Sequence, residues 1–389
     1  MPFSRADRSR LAEWWFTVDR RLLVASLVLL AVGLVVSFAA SPAVAVKKGL
    51  PALYFVERHA AVALVAGSVL WAISLLDPRA VRRLALVLFL AGLAAMVLVL
   101  VTGEEINGAR RWLRIAGFSL QPSEIVKPAF VVLAAWAFSE RAKRPDVPAW
   151  PLAAGLYALL AVILVQQPDV GQTVLVSLVW GALFVLAGGS LLWAVGFLVA
   201  GFAGLALAYA TLGYVRLRVD RFFNPSPGDN SQVDRALQAF TEGGLLGRGP
   251  GEGTIKTVLP DAHTDFILAV IAEEYGALAC LALLALFAYL TFRPIVTSAR
   301  NPDPFIRLAV SGLALLLAFQ ALINMGVNTG LLPPKGITLP FVSAGGSSAL
   351  ATAITLGMML ALNRRRPGAT RASSNAPPDS LLGRRPLQS

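Results

Sequence analysis

Ten apolar runs of about 20 residues each, separated by charged or Pro/Gly-containing breaks, constrain this chain more than any other feature. A run of that length crosses the roughly 30 Å hydrocarbon core of a bilayer as an α-helix, and no soluble domain needs so many. The runs lie near 21–40, 60–76, 84–102, 124–139, 150–167, 172–188, 191–212, 265–292, 306–329 and 341–363. The expected fold is therefore an all-α polytopic membrane protein of about ten transmembrane helices. Composition agrees: 57% of residues are hydrophobic and only 14% are charged.

The net charge of +12 would suggest nucleic acid in a soluble chain. Here most lysines and arginines gather at helix ends, where they set topology instead. Placing both termini in the cytoplasm puts the larger share of them on the inside. It also leaves one large extracytoplasmic loop, 213–264, between the seventh and eighth helices. That loop carries Arg216, Arg218, Arg221, Arg235, Arg248 and Lys256 among acidic residues, a mixed-charge surface rather than an anion patch. The expected organisation is a cytoplasmic tail (1–20), a transmembrane domain (21–363) and a disordered cytoplasmic tail (364–389) rich in Pro, Ser and Arg. Ala43-Val44-Ala45 looks like a signal-peptidase site, but the preceding run is long for a signal core and is read as an uncleaved anchor.

Cys280, the single cysteine, falls in an apolar run and supports no disulfide framework. His59 and His263, the only histidines, are too far apart in sequence for a convincing zinc site.

Chemistry concentrates in the stretch from Gly243 to Gly276. Its glycine-rich approach leads through His263 to Asp265 at the expected membrane boundary, then into an apolar helix bearing Glu273 and Glu274. A carboxylate at such depth is costly unless paired, hydrated or used. Asp265 reads either as a helix cap or as a base for a sugar hydroxyl whose lipid tail lies in the bilayer. Glu273 and Glu274 lie roughly 12 Å further along the helix and point about 100° apart, so they serve different partners, structural pairing included.

Four other groups of residues flank this stretch. Arg110 and Arg111 suit a diphosphate, since guanidinium groups grip phosphate bidentately; interfacial anchoring is the open alternative. Glu124 and Lys127, just after Gln121-Pro122-Ser123, form an i,i+3 pair of structural character. Asp169 sits in a tight turn that Pro168 and Gly171 explain, and nothing local requires it. A last cluster runs from Asn324 to Asn328, through 332–336, to a small-residue run beginning at Ser343 (343–348) that permits close helix packing.

Together these blocks resemble the SEDS family of cell-wall synthases from about residue 20 to 365. The most specific part is 259–267 with 272–276; supporting blocks are 107–112, 121–127, 167–169 and 332–348. The runs 319–324 and 334–340 are closer to the family's division branch than to its elongation branch. Two departures stand out: Gln172 precedes Thr173 where the family usually has Thr directly after Gly, and 231–235 keeps only the first glutamine, Gln232, of a Tyr-Gln-x-x-Gln pattern.

The resemblance implies a peptidoglycan glycosyltransferase that polymerises lipid II outside the cytoplasmic (inner) membrane at the division septum, with Asp265 as its essential aspartate. It further implies substrate contacts at Gln232, His263, Lys335 and Ser343. An α-linked lipid diphosphate giving a β-linkage needs one inverting displacement: a base for the acceptor, and cations on the departing undecaprenyl diphosphate. Lys256, Arg110 and Arg111 are the leading cations, with a divalent cation (Mg or Mn) as a possible helper and no organic cofactor expected. The implied partner is a class B penicillin-binding protein, the division transpeptidase, with other divisome membrane proteins. A lipid II flippase is the rival class, weakened by the scarcity of ionisable residues within the helices. A non-catalytic scaffold is the third.

Overall fold

The structure, a computed structural model, describes residues 9–106, 109–115, 118–144, 146–223, 231–334 and 336–365. Lys335 and the expected tail from 366 onward lie outside the described residues. The ten expected helices are all present: α2 (Arg20–Lys47), α3 (Tyr54–Ser74), α4 (Pro78–Thr102), α5 (Pro122–Lys143), α6 (Ala149–Gln166), α7 (Val170–Leu186), α8 (Leu191–Thr211), α11 (Ile267–Ser298), α12 (Pro304–Asn328) and α13 (Gly346–Leu362). Among the described residues, seven of these are long and apolar enough to cross a membrane alone: α2, α3, α4, α6, α8, α11 and α12. α7 and α13 are shorter, at 17 residues each.

α5 owes its lower hydropathy to charged residues at both ends, yet it is the centre of the bundle. Val126 to Ala135 are continuously buried, with Lys127 and Pro128 among them. It packs against α4, α6, α7, α12 and α13. Gly92 of α4 lets the pair approach closely, because a Cβ there would collide with Val126. α8 is the opposite case. It has no buried residue and leans on α7 and on the helix that follows it, α9 (Gly213–Phe223), as a lipid-facing helix would.

Three features were not foreseen. The N-terminal segment forms an amphipathic helix, α1 (Arg10–Thr17), capped by Ser9. Trp14 donates to Ser74 at 2.9 Å, and Arg364 reaches Glu13, Thr17 and the Leu75 carbonyl, so the first residue of the expected tail is buried and ordered. The segment before α5 folds into two small hairpins, β1 (Glu105–Ile106) with β2 (Ala109–Arg110), and β3 (Leu113–Ile115) with β4 (Phe118–Leu120). The large loop supplies α9 (Gly213–Phe223), α10 (Ser231–Gly243) and a 3-10 turn at Ile255–Thr257.

One boundary is corrected. The apolar run read as a single helix over 265–292 begins at Ile267 and is broken at Gly276, where φ is 78° and ψ 176°. Only glycine adopts that conformation without strain, and a Cβ there would strike the Leu245 carbonyl and the Gly247 nitrogen. The loop occupies the break: Arg248 and Gly249 donate to the carbonyls of Glu273 and Glu274, while Ala277 and Leu278 donate to Gly244 and Leu245. Four backbone groups beside the kink are thus re-paired by the loop, the condition under which a broken helix survives in an apolar setting.

Candidate functional site

Chain 261–266 runs along the end of the bundle between the kinked half-helix and the 336–348 segment. Asp261 takes a positive φ of 54°, and its carbonyl accepts from Thr264 and Phe266, closing a tight turn. Ser343 donates to the Thr264 carbonyl at 2.6 Å and accepts from Leu339; Ala344 donates to the His263 carbonyl at 2.9 Å. Ser343 therefore straps the turn, its single donor already given.

The Asp265 carboxylate accepts no hydrogen bond and makes no ion pair among the described residues. It faces Gly336, where an added Cβ would lie 3.7 Å from Oδ2. Burial raises its pKa from 3.8 to about 6, and the nearby charge of Asp261 pushes the same way. An uncompensated carboxylate tuned toward neutrality is what a general base requires. His263 beside it is buried, its ring 5.3 Å from Phe55, and its Nδ1 has no partner among the described residues. Burial lowers its pKa, with Lys48 adding repulsion, so it is neutral near pH 7.

Glu273 and Glu274 do serve different partners. Glu273 accepts backbone N–H groups from Thr254 (2.6 Å), Ile255 (2.8 Å) and Lys256 (3.3 Å). Glu274 accepts from Gly251 at 2.9 Å and is ion-paired with Lys256, whose ammonium also reaches the Gly251 carbonyl. The two acids pin loop 251–256 to the half-helix. Lys256 is 8% exposed and committed to this pair, which takes it away from the diphosphate role expected of it.

The two arginines also part company. Arg111 lies 3.7 Å from Asp169 and donates to the Gln167 and Pro168 carbonyls. Asp169 caps α7 through the Gln172 N–H and accepts from Gln121, so it is required both locally, contrary to the sequence reading, and by a distant arginine. Burial raises the Asp169 pKa and Arg111 opposes the shift. Arg110 stays exposed, and among the described residues it meets Glu105 at 3.7 Å and makes a long contact to the Leu100 carbonyl. Gln232 is half-buried in the first turn of α10.

Deeper in the bundle, Lys127 pairs with Glu124 at 2.9 Å, as its spacing predicts, and also donates to Gln172 (2.7 Å) and Gln320 (3.4 Å). Gln172, the residue that departs from the family pattern, donates in turn to Glu124. Glu124 Oε2 has no protein partner among the described residues. The cluster borders a cavity of about 10 Å³, the size of one water, lined also by Thr352 and Thr355.

The sequence reading singles out Asn324 to Asn328 without a role, and the structure joins Gln320 to them as a polar face of α12. Gln320, Asn324 and Asn328 recur every four residues and donate to the Thr338, Ile337 and Asp265 carbonyls. The signal was visible as three amides on one stripe of an otherwise apolar helix. The described residues gather no group of three or more His, Cys, Asp or Glu side chains, so they build no divalent-cation site by themselves.

A multi-pass helical bundle with a broken helix, and at its end a carboxylate that has no partner among the described residues, is the architecture of a polytopic membrane protein. The FTSW_RODA_SPOVE family, described as cell cycle protein, matches residues 20–367, and this chain belongs to it. The resemblance read from the sequence is thereby borne out. A relative from Caulobacter vibrioides, named as a probable peptidoglycan glycosyltransferase FtsW, is 45% identical over 372 residues, covering 95% of each chain. One of the same name from Coxiella burnetii is 34% identical, covering 89% of this chain and 96% of that one. Among solved structures, a peptidoglycan synthase complex described as coordinating polymerization and crosslinking matches with a TM-score of 0.74 at 28% identity, over 90% of this chain and 98% of that one. Thermus thermophilus RodA matches at 0.68 and 27%, over 91% and 99%. The FtsW names of the relatives agree with the division branch indicated by 319–324 and 334–340.

Proposed function

We propose that this chain polymerises lipid II into glycan strands by an inverting displacement, with Asp265 as the base. The observation that supports this most is the lone carboxylate: partly enclosed, unpaired among the described residues and raised to about 6. Asp265 takes the proton of the acceptor sugar hydroxyl as its oxygen attacks the donor's anomeric carbon. The bond to the diphosphate breaks on the opposite face, and undecaprenyl diphosphate leaves with the electron pair. Diphosphate is a good leaving group, so one carboxylate suffices and no second, acid carboxylate is needed.

Positive charge for the diphosphate comes from Arg110, the exposed guanidinium of the hairpin, and from Lys335, next to the Gly336 that faces Asp265. Arg111 and Lys256 act one step back, holding the Asp169 turn and the loop. The described residues gather no cluster of three metal-binding side chains, and no step is routed through a cation. On this reading both termini are cytoplasmic, the site end faces outward from the inner membrane, and the protein works at the septum with a class B penicillin-binding protein.

The test is polymerisation of fluorescent lipid II by purified protein in detergent, wild type against Asp265→Asn, with and without the transpeptidase and with a chelator. Polymer from the wild type and none from the variant is expected. Polymer from Asp265→Asn ends the assignment, and translocation confined to sealed vesicles without polymer favours a flippase.

A further inference from the structure

In an unbroken helix the Asp265 carbonyl would accept from the Ala269 N–H, four residues on. Here that bond is not made. The Ala269 N–H goes to the Phe266 carbonyl and to Asn328 Oδ1 at 3.1 Å, while the Asp265 carbonyl accepts Nδ2 of both Asn324 and Asn328, each at 2.9 Å. The Asn328 amide thus stands between the two halves of a missing helical bond and satisfies both. Asn324 uses its remaining donor on the Ile337 carbonyl at 2.8 Å, beside the Gly336 that faces the carboxylate. Both amides are at most 1% exposed, and neither has a route to water instead.

We propose that Asn324 and Asn328 are positioning residues for the reaction: from one face of α12 they hold the main chain of Asp265 out of the helical path, and so aim its carboxylate into the site. Without them the simplest relaxation is for the first turn of the half-helix to close on the Asp265 carbonyl, rotating residue 265 toward the helix line. The inference rests on the reading of Asp265 as base and assigns a separate role to α12.

Full-length Asn324→Leu and Asn328→Leu, with Asn324→Ser as a milder change should the leucine variants not fold, are compared with wild type for kcat, KM, thermal midpoint and pH profile on lipid II. Ser74→Ala, which loses a buried hydrogen bond at the far end of the bundle, is the control for stability alone. Misplacing a reacting group by about 1 Å costs on the order of 10²-fold, so kcat should fall by roughly 10–100-fold with KM within about twofold. The acid limb of the profile should also move below its wild-type position as Asp265 gains water. The control should lower the midpoint and leave kcat unchanged.

Wild-type kcat per folded molecule in the Asn variants overturns the proposal, as does a loss that simply tracks the folded fraction. Asp265→Asn, measured alongside, separates the two readings. If it still polymerises, the base assignment fails. If it is inactive while the Asn variants retain full kcat, only the α12 role fails.

Discussion

Asp265 and the Glu273–Glu274 pair sit on one stretch of chain, flank the same half-helix and are all largely enclosed, yet the protein treats them in opposite ways. Glu273 collects three backbone N–H groups, and Glu274 takes one N–H and a lysine. Asp265 receives nothing on its carboxylate among the described residues, while its backbone carbonyl receives two amides. The same desolvation cost is cancelled at one site and left standing at the other. Satisfied acids hold the loop. The unsatisfied one keeps a free lone pair and a proton affinity suited to chemistry at neutral pH.

The contrast is broken most sharply by substitution at its two poles. Asp265→Asn should lower polymerisation by about 10²–10⁴-fold, read by gel analysis of glycan product, without lowering the thermal midpoint. Glu274→Gln should do the reverse. Leaving the buried Lys256 uncompensated costs about 3–5 kcal/mol, so folded yield and melting temperature drop while the folded fraction retains chemistry. Combining it with Lys256→Met should recover much of that loss.

A smaller effect is the pH dependence of stability. Because the folded pKa of Asp265 is raised from 3.8 to about 6, the fold favours its protonated form. That contribution is fully present below pH 3.8 and lost as pH rises through about 6. At pH 7 Asp265→Asn should therefore be more stable than wild type, by about 1–3 kcal/mol in chemical denaturation. Activity runs the other way, with an acid limb centred near 6. The smallest expected stability change, within about 0.5 kcal/mol, belongs to Arg110→Gln, because its pair with Glu105 is exposed. A fall in kcat/KM with that stability unchanged would sharpen the diphosphate assignment; unchanged kinetics would remove it.

Much of this was legible in the residues. Hydropathy alone located all ten helices, since a bilayer favours long apolar runs whatever the neighbours are. Asp265 was legible as a carboxylate where few can be tolerated, and the Glu124–Lys127 pair as an i,i+3 contact within one helix. Lys256 was not. A lysine beside glycines reads as a free cation, and its partner Glu274 is reached only after the loop folds back on the half-helix. Asp169 hid for the same reason, because Arg111 arrives from a hairpin that follows a different helix. The break at Gly276 was masked by apolar residues on both sides, which look like one continuous helix to any measure of hydropathy.

The sequence by itself determined that this chain is a polytopic helical membrane protein with a rare concentration of ionisable residues around 259–276, because solvent transfer and local spacing act residue by residue. Only the tertiary structure decided which of the charges in that stretch are cancelled and which, among the described residues, is left without a partner. Hydrogen-bond and ion-pair partners, unlike hydropathy, are chosen across the bundle between segments that the linear order keeps far apart.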